Sequence, residues 1–499
     1  MFTFHFPAVR FAPDAGRRCG PAAPHLTPVA GALLLFCWGW PDTGQAAPND
    51  VAALRTELEA LKADYSARVQ ALEARIRELE SNLAARNAPA AAASAASLAA
   101  PTPAPAAPYA AAPARSSNLT AFNPAVAVIL TGNYASLTQD PASYRIAGFI
   151  PPPTGEGPGN RSFNLDESEL TFTSNVDPYF FANLTAAIQG DNSIDIEEAY
   201  LKTLALGHGL TLKGGRFFSG TGYLNEIHSH NWDFADQPLV YQAFFGGAQL
   251  GQDGAQLRWL APSEYFLELG AEAGSGRSFP GTQRNANSLA SDALFAHLGG
   301  DIGDSTSWRT GVSWLDARST GRAYQDVDQF GAPLTNAFSG TSRTWVVDGT
   351  LKWAPHGDPT HHQFKLQGEW MHRTEDGQLT FDITGRNLVG GYGSSQSGWY
   401  MQAIYEFIQR WRAGVRYDSM SSGTPGIGLV GSGALPLTAF PTLASASPER
   451  TTLMIDWSLS EFSRFRAQYA LDDARASARD RQFLLQYILA IGAHGAHKF

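Results

Sequence analysis

Hydrophobic and polar residues alternate with a period of two in repeated segments of about ten residues between 118 and 499. One segment places Trp411, Val415 and Tyr417 on one parity and Arg412 and Arg416 on the other. This alternation predicts β-strands with one apolar and one polar face. In a soluble sandwich the apolar face packs on a second sheet, whereas in a membrane barrel it faces lipid and the polar face lines a lumen.

The connections between these segments decide between the two architectures, because short turns alternate with long polar links. The short turns lie at 177–178, 207–209, 262–263, 303–305, 356–358, 409–410 and 461–462. The long links lie at 138–163, 217–250, 274–290, 318–340, 372–396 and 421–447. This pattern predicts an all-β transmembrane β-barrel of about 16 antiparallel strands over 118–499, with both chain ends on the short-turn side. The stretch 378–384 is compatible with a seventeenth strand or with a hairpin inside a loop.

A different period governs residues 51–83, where apolar residues from Val51 and Leu54 to Leu79 and Leu83 recur every three or four positions. This spacing predicts an N-terminal α-helical coiled coil over 47–87, with a single amphipathic helix packed on a core as the alternative. A coiled coil requires partner chains, so we expect a homo-oligomer, most simply a trimer or a dimer. The Ala/Pro-rich stretch 88–117 is typical of an extended spacer.

The N-terminal residues 1–46 have the pattern of a secretory signal peptide: a basic pair, a short apolar run at 28–40 and small residues before Ala47. Both cysteines, Cys19 and Cys37, lie in this segment. The mature chain is therefore expected to be exported and to fold without disulfides. Together with the barrel, this predicts the outer membrane of a Gram-negative bacterium, with lipid around the barrel and the coiled coil in the periplasm.

Composition narrows the function classes. The formal net charge of −10 gives no reason to expect a nucleic-acid partner. Aromatic residues make up 11% and charged residues only 16% of the chain, which is unusual for a cytosolic enzyme. We find none of the common hydrolase or metalloprotease motifs and predict no enzymatic activity.

A sixteen-stranded barrel leaves an aqueous lumen, so residues on the inward parity form the predicted functional surface. The link 217–250 is aromatic and apolar, which predicts that it folds into the barrel and narrows the pore. Acids on this loop opposite arginines on the wall would create a transverse field, or they would only pair and pin the loop to the wall. The candidate constriction residues are Glu226, Asp233, Asp236, Arg258, Arg309, Arg412, Arg416, Arg464 and Arg466.

The stretch 163–184, followed by EEAYLKT at 197–203 and by the motifs at 212–226 and 232–240, resembles the phosphate-selective porin-like superfamily of Gram-negative porins. The resemblance implies sixteen strands, a trimer and a water-filled channel for small hydrophilic solutes or ions. Some outer-membrane porins also carry an N-terminal periplasmic coiled coil. The third loop of this chain has no lysine cluster, so the resemblance does not extend to phosphate specificity.

Two histidines in the same link suggest a metal site. His228 and His230 are two positions apart, so in an extended segment their side chains point the same way, with Glu226 on that side as well. Two imidazoles and a carboxylate suit zinc, whereas hydrogen bonding that holds the loop is the simpler explanation. If zinc binds, the alternative function is an uptake barrel for a metal ion. A structural outer-membrane tether with a closed pore is a third possibility.

The C-terminal segment combines a strand with an aromatic last residue. Phe483, Leu485 and Tyr487 fall on the lipid-facing parity, and Gln482 and Gln486 fall on the lumen parity. The last residue, Phe499, keeps the lipid-facing parity and resembles the signal by which barrel assembly machinery recognises its clients. Nearby His494 and His497 share a face only if Gly495 interrupts the strand, so they are a poor metal site.

Overall fold

The computed structural model describes residues 124–153, 156–282, 285–476 and 478–492, all within the unit Ala114–Phe499. These residues form one antiparallel sheet of eighteen strands, and β1 also pairs with β18, which closes the sheet into a barrel. The strands are β1 (Ala125–Leu137), β2 (Ser162–Leu165), β3 (Ser168–Asn175), β4 (Phe180–Ile188), β5 (Ile194–Thr203), β6 (Leu210–Phe218), β7 (Gly251–Leu260), β8 (Phe266–Gly274), β9 (Ser291–Ile302), β10 (Thr306–Val327), β11 (Pro333–Trp353), β12 (Gln363–Phe381), β13 (Leu388–Ile408), β14 (Trp411–Ser421), β15 (Gly426–Ile427), β16 (Glu449–Ser460), β17 (Ser463–Asp472) and β18 (Asp480–Gly492).

The helical elements of the described ranges lie in the connections. The α-helices are α1 (Leu239–Phe245) and α2 (Gly428–Gly431), and single 3₁₀ turns occupy Pro141–Ser143, Leu224–Glu226, Ser229–Asn231, Pro355–Gly357, Leu437–Ala439 and Pro441–Leu443. Among the described residues, no helix has both the length and the apolar character needed to cross a membrane.

The wall contains sixteen strand positions, as the sequence predicts. The first half of β1 pairs with β3 and the second half with β2, so β2 and β3 together form one interrupted strand. The two-residue β15 pairs only with an outer part of β13 and adds no position to the wall. The closing register runs from Ala127 opposite Gly492 to Leu137 opposite Gln482. This pairing joins the first and last strands of the described wall, whereas an open sheet would expose unpaired backbone groups to lipid.

Side chains along the wall alternate in exposure as the period of two requires. On β18, Phe483 and Leu485 are about two-fifths exposed on the outer face, whereas Gln482 and Gln486 are buried inside. The outer face therefore carries apolar residues and the inner face polar ones, confirming the predicted orientation of the last strand.

Aromatic residues form two bands on the outer face. Near the short turns, Trp411 stacks on Trp457 with ring centroids 5.6 Å apart. Trp399 belongs to the second band, where it contacts Tyr417 at 5.5 Å. Trp411 pairs with Ile408 on β13, and Ile408 lies nine residues from Trp399 on the same strand. Nine residues span ~30 Å along a strand, so the two bands are ~23 Å apart in height at a strand tilt of ~40°. This matches the ~25 Å apolar band of an outer-membrane barrel.

Two links that the sequence assigns to long loops are in fact continued strands. The links 318–340 and 372–396 fall largely within β10 to β13, which are 19 to 22 residues long and turn tightly at 328–332 and 382–387. The stretch 378–384 is the end of β12 and the turn after it, rather than a further strand. Beyond the membrane both faces of a hairpin can be polar, so the apolar period that marks a spanning strand is lost although pairing continues.

Near their outer turns, the inward face of these long hairpins is covered by the connection between β14 and β16. Phe440 and Leu443 from that connection join Phe338, Leu379 and Phe381 in one buried cluster. Phe381 and Phe440 contact each other edge to face at 5.4 Å. The link 421–447, predicted to be a loop, thus folds into short helical turns on the mouth of the barrel.

The remaining predictions of organisation concern residues outside the described ranges. They are the signal peptide at 1–46, the coiled coil at 47–87, the spacer at 88–117, and His494, His497 and Phe499.

Candidate functional site

The connection between β6 and β7, residues 219–250, is called the β6–β7 segment below. Every residue of its helix α1 is buried, including Leu239, Tyr241 and Phe244. A helix that is apolar all round needs partners on every side. The helix ends at Gly246, whose φ of 87° is a conformation that glycine adopts without strain.

One side of the barrel supplies the apolar partners of α1. Inward-facing Leu315, Val346 and Met371 are fully buried and belong to the same cluster as α1. These wall positions break the polar character of the inner face, and the helix covers them. This core lies against β10 to β14 and leaves the inner face of β3 to β8 to polar groups.

Glu369 on β12 anchors the segment at its beginning and at its helix. Its carboxylate accepts hydrogen bonds from the backbone amides of Tyr223 and Leu224 at 3.1 and 3.0 Å. The hydroxyls of Tyr241 and Tyr400 donate to the same carboxylate at 2.8 and 2.7 Å. Three of these four donors belong to the segment, and Tyr400 is on β13, so one buried carboxylate holds the segment in a fixed position on the wall.

The predicted loop acids pair directly with cations on the wall. Asp233 contacts Lys365 at 2.9 Å and Arg412 at 3.0 Å. Burial disfavours the ionised carboxylate, but these two cations hold the pKa of Asp233 below its ordinary value.

Asp236, three residues further along the segment, also pairs with two cations on the wall. It contacts Arg416 at 2.8 Å and Arg450 at 2.7 Å. Burial opposes its charge, yet Arg450 and Arg416 lower the pKa of Asp236. The third acid, Glu226, forms an ion pair with Arg258.

The other predicted arginines contact backbone carbonyls or an aromatic ring of the segment. Arg464 donates to the carbonyl of His230 at 2.5 Å, and Arg466 donates to the carbonyl of Trp232 at 2.8 Å. The guanidinium carbon of Arg309 lies 5.1 Å from the ring centre of Tyr223. The structure thus brings all nine predicted residues to the β6–β7 segment and its wall contacts, through direct pairs rather than across a gap.

Sequence reasoning missed Lys365, Arg373 and Arg450, which bind the segment in the same way. Arg373 donates to the carbonyl of Ala243 at 3.0 Å, and Arg450 donates to the carbonyl of Gln237 at 2.5 Å. The inward parity of Lys365 and Arg450 was readable from the sequence, whereas Arg373 lies in the link 372–396 that was predicted to be a loop. What the sequence lacked was the position of the segment's carbonyl groups.

His228 and His230 lie together in the segment, with ring centroids 5.8 Å apart and the rings stacked. Nδ1 of His230 is 2.7 Å from Glu169 on β3. Nδ1 of His228 is 3.1 Å from Glu169 and 3.4 Å from Glu197, and Nε2 is 3.3 Å from Glu198. Burial disfavours an imidazolium, but these carboxylates raise the pKa of His228 well above its usual range.

Glu226, the carboxylate expected beside the two histidines, forms an ion pair with Arg258 on the wall. The residue belongs to the 3₁₀ turn Leu224–Glu226, so the rule that alternate residues share a side does not relate it to His228. The carboxylates beside the histidines come from the wall.

A β-bulge explains how two consecutive glutamates reach the same histidine. Thr185 pairs with Glu198 and Ala186 with Ile196, so Glu197 is the extra residue of β5. In a regular strand Glu197 and Glu198 would point to opposite faces. The bulge re-aims one of them, and both side chains are nearly buried beside His228.

A polar cavity of about 1060 Å³ opens beneath this cluster toward the short-turn end of the barrel. Its lining includes side chains of both signs: Glu169, His228, Arg258, Lys213 and Lys365. The cavity joins the cluster to the candidate constriction residues.

Comparison with known proteins finds no matching protein-family model. A curated protein of Aquifex aeolicus (strain VF5), described only as uncharacterized, is 29% identical over 361 residues, covering 69% of this chain and 72% of the relative.

Solved structures that resemble the chain are outer-membrane proteins. The trimer form of OmpT from Vibrio cholerae has a TM-score of 0.47 and 8% identity, covering 74% of this chain and 99% of that one. The anion-selective porin from Comamonas acidovorans has a TM-score of 0.43 and 10% identity, with the same coverages. The channel DcaP of Acinetobacter baumannii has a TM-score of 0.40 and 12% identity, covering 74% and 96%. Because these scores and identities are low, the barrel assignment rests on the hydrogen-bonded sheet of this chain itself.

Proposed function

We propose that the protein is a channel of the Gram-negative outer membrane through which small hydrophilic solutes or ions diffuse passively. The observation that carries this proposal is a closed sixteen-position barrel with an apolar outer face and a polar cavity of about 1060 Å³ inside. A barrel of this size has room for an aqueous path.

In this proposal the β6–β7 segment crosses the lumen and narrows the path. Its contacts support this position, because they reach Glu272 on β8 at one end and Asp418 on β14, across the barrel, at the other. Helix α1 fills the side toward β10 to β14, so the polar path runs along β3 to β8. Positive charges along that path, such as Arg258 and Lys213, and negative charges, such as Glu169, then filter the passing ions.

Planar-bilayer recordings of the purified full chain test the channel. We expect steady ohmic steps. In a salt gradient, Arg258→Ala should shift the reversal potential toward cation selectivity, because one positive charge on the path is lost. The matched control is Arg343→Ala, which removes an outward, exposed arginine on β11 and should leave the reversal potential unchanged. Absence of current in the folded wild type would contradict the proposal and favour a closed tether.

The proposal includes a homotrimer held by the predicted coiled coil at 47–87. The mass of the detergent-solubilised protein, corrected for bound detergent, should be three chains for the full-length protein. Removal of 47–87 should lower this mass if the coil holds the subunits together. A single-chain mass for the full-length protein would refute this part.

Uptake of a metal ion is a second candidate function, favoured by the cluster of His228, His230 and glutamates on the cavity wall. In liposomes containing the protein, zinc influx should then saturate at micromolar zinc and fall in His228→Ala/His230→Ala. Influx that rises linearly with zinc concentration in both proteins would exclude specific zinc uptake and support passive diffusion.

A further inference from the structure

We propose that Glu169, Glu197 and His228 bind one resident divalent transition-metal ion, such as Zn²⁺, which fastens the β6–β7 segment to β3 and β5. This inference does not rest on the channel, because binding of the ion is measured without any current.

The geometry of the three side chains carries the inference. Ligand atoms of His228, Glu169 and Glu197 all lie within 4.8 Å of one another. Nδ1 of His228 is 3.1 Å from Oε2 of Glu169 and 3.4 Å from Oε2 of Glu197. Two ligands on a tetrahedral zinc at ~2.0–2.1 Å are separated by ~3.3–3.4 Å. The observed separations therefore suit neighbouring ligands of one ion.

Two of these atoms have no hydrogen bond in the described part of the chain. Nδ1 of His228 and Oε2 of Glu197 are both buried and lack a hydrogen bond, although they lie at ion-pair distance, 3.4 Å, from each other. Buried polar atoms are nearly always satisfied, so an exception calls for a cause. A metal ion between them would satisfy both at once.

The surrounding groups are those that orient metal ligands. Nε2 of His228 faces Glu198 at 3.3 Å, the usual partner of the second nitrogen of a metal-bound imidazole. Oε1 of Glu169 is fixed by Nδ1 of His230 at 2.7 Å, which leaves Oε2 for the ion. The bulge at Glu197 has a role here, because without it one of the two glutamates of β5 would face lipid.

The charge of the cluster favours a cation. Within the described residues, every ion pair found for Glu169 and Glu197 is with a histidine and none is with lysine or arginine. Imidazole with carboxylates is a ligand set for zinc and neighbouring divalent metals. Glu169 and His228 line the polar cavity, which gives an ion a path of entry.

Cobalt titration of the folded full chain in detergent tests the site. Co²⁺ gives visible absorption when imidazole and carboxylates bind it, and Zn²⁺ should displace it. We expect one saturable equivalent per chain in the wild type. In Glu197→Gln this equivalent should be lost, and in Glu198→Gln the affinity should fall by about 10–100-fold, since that residue only orients the ligand.

The matched control is Glu268→Gln, which alters another histidine–glutamate pair on the inner wall, that of His297 and Glu268 at 3.1 Å. Among the described residues, Glu268 is the carboxylate that forms an ion pair with His297, and the pair is not part of a three-ligand group. Glu268→Gln should therefore bind cobalt with the wild-type affinity. Heat-modifiable migration on gels verifies that each variant is folded. No saturable binding by the wild type, or wild-type affinity in folded Glu197→Gln, would overturn the proposal.

Discussion

At the scale of single residues, buried ion pairs fix the β6–β7 segment. Asp236 and Asp418 each pair with both Arg416 and Arg450, whose side chains are almost fully buried. Removing one carboxylate of this group leaves an excess of positive charge in a medium where charge is poorly solvated. The strength of the attachment therefore resides in a few carboxylates.

Asp236→Asn should destabilise the folded barrel by about 3–5 kcal/mol, because two buried arginines lose one of the two carboxylates that they share and keep only Asp418 in common. Urea unfolding in detergent gives the change in the free energy of unfolding. The control Asp473→Asn removes an exposed acid that pairs with Arg479 and should cause no measurable change. Equal effects of the two substitutions would show that burial of the pair does not matter.

Glu156, in the connection after β1, makes stability depend on pH. Burial raises the pKa of its carboxyl from 4.5 to about 7, although the amide of Ile146 donates to Oε1 at 2.7 Å. Between these two values the folded state binds more protons than the unfolded state. The contribution of Glu156 to the free energy of unfolding therefore falls as pH rises from about 4.5 to about 7 and does not change above that range.

Glu156→Gln removes this titration, because the amide is neutral at every pH. We expect the thermal transition of the variant to equal that of the wild type near pH 4.5 and to exceed it at pH 8. The difference between the two transitions is measured at a series of pH values. A difference that does not change with pH would rule out Glu156 as the titrating group.

At the scale of elements, α1 is held by packing rather than by helix propensity. Seven residues are too few for an independent helix, and all of them are buried. The wall residues beneath α1 are apolar on what is otherwise a polar face. Helix and wall therefore depend on each other.

Phe244→Ala should loosen this packing at a cost of about 3–5 kcal/mol, because Phe244 is fully buried. If the segment narrows the channel, single-channel current should become larger and noisier. The control Leu453→Ala shortens a side chain that is 55% exposed on the outer face and should leave the current unchanged. Unchanged current in a destabilised Phe244→Ala would separate the role of α1 in packing from any role in conduction.

At the scale of the whole molecule, the barrel is complete only when β18 reaches β1. Eleven residue pairs join these strands, which come from opposite ends of the described chain. Pairing over such a distance in sequence is slow, and we expect assembly machinery to assist it. The predicted signal for that assistance is Phe499.

Phe499→Ser should reduce the amount of folded barrel in the outer membrane, because the assembly machinery loses the aromatic residue that we expect it to bind. Heat-modifiable protein in outer-membrane fractions measures the folded amount. Lys498→Ser is the matched control and should assemble normally. Normal assembly of Phe499→Ser would remove this residue from the assembly signal.

The predicted strands agree with the structure where they cross the bilayer and differ from it beyond the bilayer. Where strands cross it, one face must be apolar, and the period of two identified the wall strands and the orientation of β18. Beyond it this requirement ends, so β10 to β13 continued into links that were predicted to be loops. The same reason limited the site: the inward parity of Arg412 and Arg416 was readable, but their partners were not.

Local alternation of apolar and polar residues was enough to predict the barrel, its sixteen positions and the inward parity of charged residues such as Arg412, because lipid and water impose that alternation on every spanning strand. Which charged groups contact each other depends on the folded barrel. Glu226 pairs with Arg258, and a one-residue bulge in β5 places both Glu197 and Glu198 beside His228. Such contacts join residues from distant strands, and a single extra residue reverses the face of a side chain, so no local pattern specifies them.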